Sequence, residues 1–246
     1  YQYNGSIKEE YYYSIFHWDN GDWAEYSSYY ENGPYNGPSI YHWADGDWEE
    51  MTMVDGYAEG PSIYHSTNIP NDGDWEERNY SSGILDGPAI YYWSLEGPFS
   101  GDFEERTYVN NLRSGPAIYH SANEPWLGDT NEFTYVNGII QGKSIYRWAN
   151  GDYEERTYVN GIIQGKATVY YRSGQWRGDY EIRTYVNKGT VGVVEGPSTY
   201  YFSNGDREER NYVNRDGNGV PHGPYIYYFK DGGTVKGNYY YGKVVE

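Results

Sequence analysis

The chain has no cysteine, which excludes disulfide staples and thiolate-ligated metal but leaves the compartment open, since reducing and oxidising surroundings both accommodate it. Basic residues are scarce: 18 Lys and Arg stand against 36 Asp and Glu, a net charge of −18. That balance repels phosphate backbones and anionic headgroups and offers no basic patch, so no nucleic-acid partner is expected. No run of about 18 apolar residues occurs, so no membrane span is encoded. Apolar residues at helical spacing are missing as well, and no helix is predicted. Hydrophobic residues make up only 37% of the chain while aromatics reach 20%, with 34 Tyr and 9 Trp, which predicts a core of amphipathic rings in place of aliphatic bulk.

What the chain does have is a repeat. Its cleanest copy runs from Gly142 through Ser144-Ile145-Tyr146 and Asn150-Gly151-Asp152 to Tyr153-Glu154-Glu155-Arg156-Thr157-Tyr158-Val159-Asn160-Gly161. The Gly-Asp step recurs at Gly21, Gly46, Gly73, Gly101, Gly128, Gly151, Gly178 and Gly205, with Gly232-Gly233 as a ninth variant. A period of this kind marks one supersecondary unit stacked along an axis. Short runs of Ile, Val, Tyr, Trp and Thr bounded by Gly, Pro, Asn and Asp read as strands. Residues 144–148 form the first strand, Asn150-Gly151 a two-residue turn with positive φ at both positions, 153–159 the second strand, and Asn160-Gly161 a second turn. The prediction is an all-β fold: a single elongated, twisted antiparallel meander of about nine β-hairpin repeats, one domain over 1–246 with no linker.

The skeleton Gly-Asp-x-x-Glu-x-x-Tyr-x-Asn-Gly-x-x-x-Gly-x-small-x-Tyr, read over residues 151–170, resembles the MORN repeat in its spacing from Gly151 to Asn160-Gly161 and on to Gly165. The departures are systematic: Glu154 stands where that family usually has Tyr, Arg156 where it has Gly, Tyr158 where it has Trp, and Ala167 where it has Gly. The resemblance implies a hairpin sheet that serves as a scaffold and pairs through exposed β edges. The membrane association in the family's name is not carried over, because the charge opposes it.

The same substitutions recur as Glu76-Arg78-Tyr80, Glu104-Arg106-Tyr108, Glu181-Arg183-Tyr185 and Glu208-Arg210-Tyr212. Residues i, i+2 and i+4 of a strand share a face, so each triplet sets a carboxylate, a guanidinium and a phenol side by side. The first reading is a solvated, salt-bridged sheet face; the second is a groove for a polar ligand. Adjacent carboxylates such as Glu49-Glu50 and Glu154-Glu155 point to opposite faces and cannot straddle one substrate bond as glycosidase carboxyls do. His17, His42, His65 and His120 share a register, but equivalent residues lie roughly 9–10 Å apart, too far to share a zinc ion. The turn carboxylates Asp45 with Asp47, and Asp72 with Asp74, have oxygen chemistry suited to Ca²⁺, yet no acidic-loop motif stands out. No catalytic residue, metal or cofactor is assigned.

Copies differ most in the loop before Gly-Asp. It is short between Gly37 and Gly46 and long between Gly60 and Gly73 or Gly87 and Gly101, where apolar tips are added. Phe99, Trp126 and Trp176 on these long loops either anchor a partner or fold back as lids.

Two functions follow. The first is a non-enzymatic structural or interaction protein, secreted, that self-associates through terminal edge strands around 11–18 and 239–245 or through the exposed loops. Acceptor triplets make Asn4 and Asn79 glycosylation candidates and are compatible with secretion, and a start at Tyr1 without Met fits a mature form after signal removal or a trimmed chain; an extracellular location is expected, with the cytoplasm as the alternative. The second is a binding module holding a glycan or planar hydrophobic small molecule in an aromatic-lined groove. There Tyr41, Trp43 and Trp48, or Tyr146, Trp148 and Tyr153, share a face if two-residue turns set the register. No base, nucleophile and oxyanion donor group together, so an enzyme is not expected.

Overall fold

The computed structural model describes residues 7–8 and 11–245, which fall into two compact units, 1–125 and 126–246. The first holds four hairpins: Tyr11–His17 with Trp23–Ser28, Gly37–His42 with Trp48–Val54, Gly60–His65 with Trp75–Ser81, and Gly87–Tyr92 with Phe103–Val109, followed by strand Gly115–His120. The second opens on strand Thr130–Val136. Its four hairpins are Gly142–Arg147 with Tyr153–Val159, Gly165–Tyr170 with Tyr180–Asn187, Gly196–Tyr201 with Arg207–Arg215, and Gly223–Tyr228 with Thr234–Tyr240. The second strand of a hairpin also pairs, antiparallel, with the first strand of the next, as Tyr153 with Tyr170. The fold is therefore an all-β antiparallel hairpin meander. The one helical element among the described residues is a 3-10 turn, Gly174–Trp176, in a long loop.

Two kinds of turn alternate. At Asn160-Gly161 both residues have positive φ, 52° and 78°, and Val159 pairs with Ile162, the two-residue type I′ turn predicted there. The Asn-Gly-Asp turn differs from expectation. Only Gly151 has positive φ, Trp148 N–H donates to Asp152 O at 3.0 Å, and Gly151 N–H donates to Trp148 O at 2.9 Å. This is a three-residue loop, a type I turn closed by a glycine bulge. The added loop residue pairs Tyr153 with Arg147, where a two-residue turn would pair it with Trp148. A slip of one residue exchanges the faces of a strand. Consequently Tyr41 and Trp43 lie on one face and Trp48 on the other, beside His42, and Tyr153 likewise parts from Tyr146 and Trp148.

One face of each unit is buried and the other open. The buried face carries Ser144, Tyr146, Glu154, Arg156 and Tyr158 and their counterparts; the open face carries Ile145, Arg147, Tyr153, Glu155 and Thr157. Aromatic rings do not form the deepest layer. The largest side chains almost fully removed from solvent are Glu49, Glu76, Glu154 and Glu181, and the other buried positions include small residues such as Ala24, Ala89, Ala117 and Ala167. The expected solvated Glu-Arg-Tyr face is instead the core, because the corrected register turns these triplets toward the strand-end tyrosines.

Charge divides unevenly. Residues 1–125 contain 22 Asp and Glu against 4 Lys and Arg, whereas 126–246 contain 14 of each, so the whole net charge of −18 belongs to the first unit.

Candidate functional site: a buried polar network and two aromatic rows

Glu76 and Glu181 are each gripped from two hairpins. Glu76 accepts from Arg78 Nε at 2.7 Å on its own strand, and from Arg106 Nε at 2.7 Å and Tyr108 Oη at 3.0 Å on the next hairpin. Glu181 accepts from Arg183 Nε at 2.9 Å, Ser198 Oγ at 2.7 Å, Tyr212 Oη at 2.8 Å and Arg210 Nη2 at 3.1 Å. The guanidiniums in turn stack on tyrosines, Arg78 over Tyr64 at 3.9 Å and Arg156 over Tyr146 at 4.8 Å. A buried carboxylate without such partners would be strongly disfavoured. Copies that lack the glutamate lack the arginine too: Asn131 is followed by Phe133, and Ala24 by Tyr26.

The environments of these carboxyls diverge. Burial alone would raise Glu181, but Arg183, Arg210 and Ser198 together outweigh it and hold the carboxyl below its ordinary range. Glu49 lacks an arginine on its own strand, where Met51 stands, and its nearest guanidinium, Arg78, is 3.6 Å away. Burial there prevails over Arg78, Ser62 and Tyr80, and the carboxyl is pushed up.

The aspartate of each Gly-Asp turn ties one repeat to the next. Asp179 accepts from Tyr200 Oη and from the Ser203 amide, both at 2.7 Å. Asp129 holds Tyr146 Oη at 2.6 Å and the Ala149 amide at 2.9 Å, and Asp206 holds Tyr227 Oη at 2.7 Å and the Lys230 amide at 2.9 Å. Asp47 receives Tyr64 Oη, the Thr67 amide and Asn68 Nδ2. The preceding glycine is needed for more than its positive φ: a Cβ at Gly178 would stand 3.1 Å from Ser203 Cβ, so the next turn packs directly on it. Asp179→Ala removes both bonds and leaves a buried phenol and an amide without their acceptor. The expected loss is about 2 kcal/mol of unfolding free energy, read from a urea transition.

Two aromatic rows cross the strands. On the buried face Trp18, Tyr41, Trp43 and Tyr64 follow one another at 5.4, 4.9 and 5.5 Å, and in the second unit Tyr171, Tyr200, Phe202 and Tyr227 follow at 5.8, 4.7 and 5.2 Å. On the open face rings stack nearly parallel: Trp23 on His42 at 3.8 Å, Trp48 on His65 at 3.9 Å, Trp75 on Tyr92 at 4.0 Å, and Tyr180 on Tyr201 at 4.4 Å. The histidines in shared register are thus members of a stacked ladder. Burial holds His42 and His65 below the ordinary imidazole range, against the pull of Glu25 and Glu50.

Of the residues singled out from sequence, Tyr41 donates its hydroxyl to Asp22 at 2.7 Å, and Trp43 sits between Tyr41 and Tyr64. Tyr146 is engaged by Asp129 and Arg156, with Trp148 against it at 5.3 Å. Phe99, Trp126 and Trp176 are 53%, 54% and 50% exposed on their loops, and Phe99 leans on Trp93 at 6.2 Å. Trp176 borders a groove of about 400 Å³ in the second unit, walled by Tyr171, Tyr200 and Phe202 and floored by Arg183 and Arg210 with their glutamates. Asn79 lies within strand Trp75–Ser81 and donates Nδ2 to Asp86 O at 2.9 Å; Asn4 falls outside the described residues. The Asp-to-Tyr ties escaped sequence reasoning, although the constancy of Asp after the turn glycine was a signal for them.

A family model, MORN repeat, matches residues 26–48, 107–124 and 134–153. The chain has no match among curated proteins. Such repeats are generally modules for binding or interaction without catalysis. The matched segments fall on the hairpin strands and turns described above, and at these three regions the chain carries MORN repeats, which the repeated hairpins of the meander fit.

Proposed function

We propose that this chain is a non-enzymatic interaction module that self-associates. The observation that carries the reading is where its chemistry lies. The carboxylates and guanidiniums of the Glu-Arg-Tyr triplets are turned inward and engage one another, while apolar side chains are left exposed at the last edge. There Val244 is 61% and Tyr240 60% exposed, and no strand among the described residues pairs outside Lys243–Val245. An edge strand of this kind is a template for pairing with a second copy. Light scattering coupled to size-exclusion chromatography across a concentration series should give a mass above the 28.5 kDa monomer. It should fall to the monomer with Val244→Lys; a wild-type monomer at every concentration would refute self-association. An extracellular location belongs to the proposal, supported by the Asn4 and Asn79 acceptor triplets.

A second reading is favoured by the groove beside Trp176, whose rings and guanidiniums suit a glycan or planar small molecule. Trp176→Ala should leave stability within roughly 0.5 kcal/mol, as for a surface position. Native mass spectrometry of protein from its source should then show a bound mass in the wild type that the variant lacks. Bare protein mass in the wild type counts against this reading.

A further inference from the structure

We propose that the open face of the first unit docks a cationic polyproline-II segment carrying Lys or Arg at every third residue. Four glutamates, Glu25, Glu50, Glu77 and Glu105, occupy one register on the second strands of successive hairpins, cross-strand from Ile40, Ile63, Ile90 and Ile118. Glu50, Glu77 and Glu105 are exposed. Second strands recur every two strand spacings, about 9.6 Å. A polyproline-II helix repeats every three residues at about 3.1 Å each, so one side chain in three returns to the same side after about 9.3 Å. Its cations would meet successive glutamates. Beside the glutamate row, a groove of about 440 Å³ crosses the strands, with Tyr13, Pro38, Ile40, Pro61 and Ile63 among its walls. Proline-rich segments seat in grooves of such apolar and aromatic composition.

No described Lys or Arg side chain of the first unit lies on this face. Among the described side chains of the first unit, Arg78 and Arg106 belong to the buried face, and Arg113 pairs with Tyr108 on that same side. His120 reaches Glu105 at 3.1 Å, and burial holds His42 and His65 below the ordinary imidazole range, which favours their neutral form. The second unit is an internal control with the same backbone plan. There Lys143 and Lys166 replace the groove prolines, Arg147 Nε lies 3.0 Å from Glu132, and Ile182 stands in the glutamate register. Charge complementarity therefore singles out the first unit and a basic partner.

The test is fluorescence anisotropy with the full chain and a dye-labelled peptide of five Pro-Pro-Arg triplets. A control peptide has the same composition with its arginines contiguous. The triplet peptide should bind saturably and more tightly than the control. Glu50→Gln with Glu77→Gln should weaken it about tenfold or more, with far-ultraviolet dichroism unchanged. Glu155→Gln, at the same register in the second unit, should leave it unaltered. Absence of binding, equal affinity for the two peptides, or equal loss from Glu155→Gln would overturn the proposal.

Discussion

Replacing Glu181 by Gln is expected to destabilise the second unit by about 3–5 kcal/mol. The carboxylate is 1% exposed and accepts four hydrogen bonds from three strands. Gln keeps an acceptor for Ser198 and Tyr212, but it removes the counter-charge from Arg183 and Arg210 and turns an amide donor toward two cations. Glu208, 3.5 Å from Arg210, compensates one of them only in part. The same change at Glu49 should act differently. Its carboxyl is raised by burial, so its ionised form is held at a cost that sets in as pH rises through its folded value. Glu49→Gln relieves that cost while Ser62 and Tyr80 keep an acceptor, and the change should stay within about 1 kcal/mol. Urea unfolding of both variants at neutral pH checks the contrast. Equal losses at the two sites would show that charge pairing does not distinguish them.

The second large effect is alkaline. Tyr41, Tyr227 and Tyr239 are each pushed up to about 12, chiefly by burial and then by the carboxylates their hydroxyls serve. Tyr64, Tyr91, Tyr146, Tyr185, Tyr200 and Tyr212 move further in the same direction for the same reasons. In the unfolded chain these phenols titrate near 10. A group raised in the folded state contributes stability that is fully present below its unfolded value and is lost as pH climbs toward its folded value. Because many tyrosines act together, the unfolding midpoint should stay level to about pH 10 and then drop steeply. Phenolate absorbance should rise in one cooperative step with the loss of circular dichroism. Independent titration of all tyrosines near 10 in a chain that keeps its dichroism would contradict the network. The acid edge should be gentler. Hydrogen bonds from Tyr64, Thr67 and Asn68 hold Asp47 below its ordinary range despite burial, so its contribution fades as pH falls through that lowered value. Glu49 and Glu154 are raised and regain stability over the acid range.

Much of the fold is readable in the sequence because turn chemistry is local. Asn160-Gly161 predicts its own type I′ geometry, and strand 153–159 begins and ends where its β-branched and aromatic residues do. Asn150-Gly151 is ambiguous, because Asn-Gly suits a two-residue turn and also the last two positions of a bulged three-residue loop. Choosing between them takes the cross-strand register, and one residue of slip moves Tyr153 and Trp48 to the opposite face. Burial of Glu154 was hidden for a related reason: isolated glutamates are overwhelmingly surface residues, and only their partners from a neighbouring hairpin make the interior tolerable. The paired loss of charge at Asn131 and Phe133 was the available clue. Trp126, Phe99 and Trp176 stand exposed on their loops, while Tyr41, Trp43, Tyr146 and Trp148 serve as ties and stacking surfaces within the sheet.

The central claim is that the repeated charged residues bind hairpin to hairpin. Glu181 and Arg210, from neighbouring hairpins and 3.1 Å apart, test it most directly in a double-mutant cycle of Glu181→Gln, Arg210→Met and the pair. A coupling energy of about 2 kcal/mol, above the roughly 1 kcal/mol ceiling of exposed ion pairs, is the predicted result. Additivity within about 0.3 kcal/mol would mean that the two side chains are near each other without holding the repeats together.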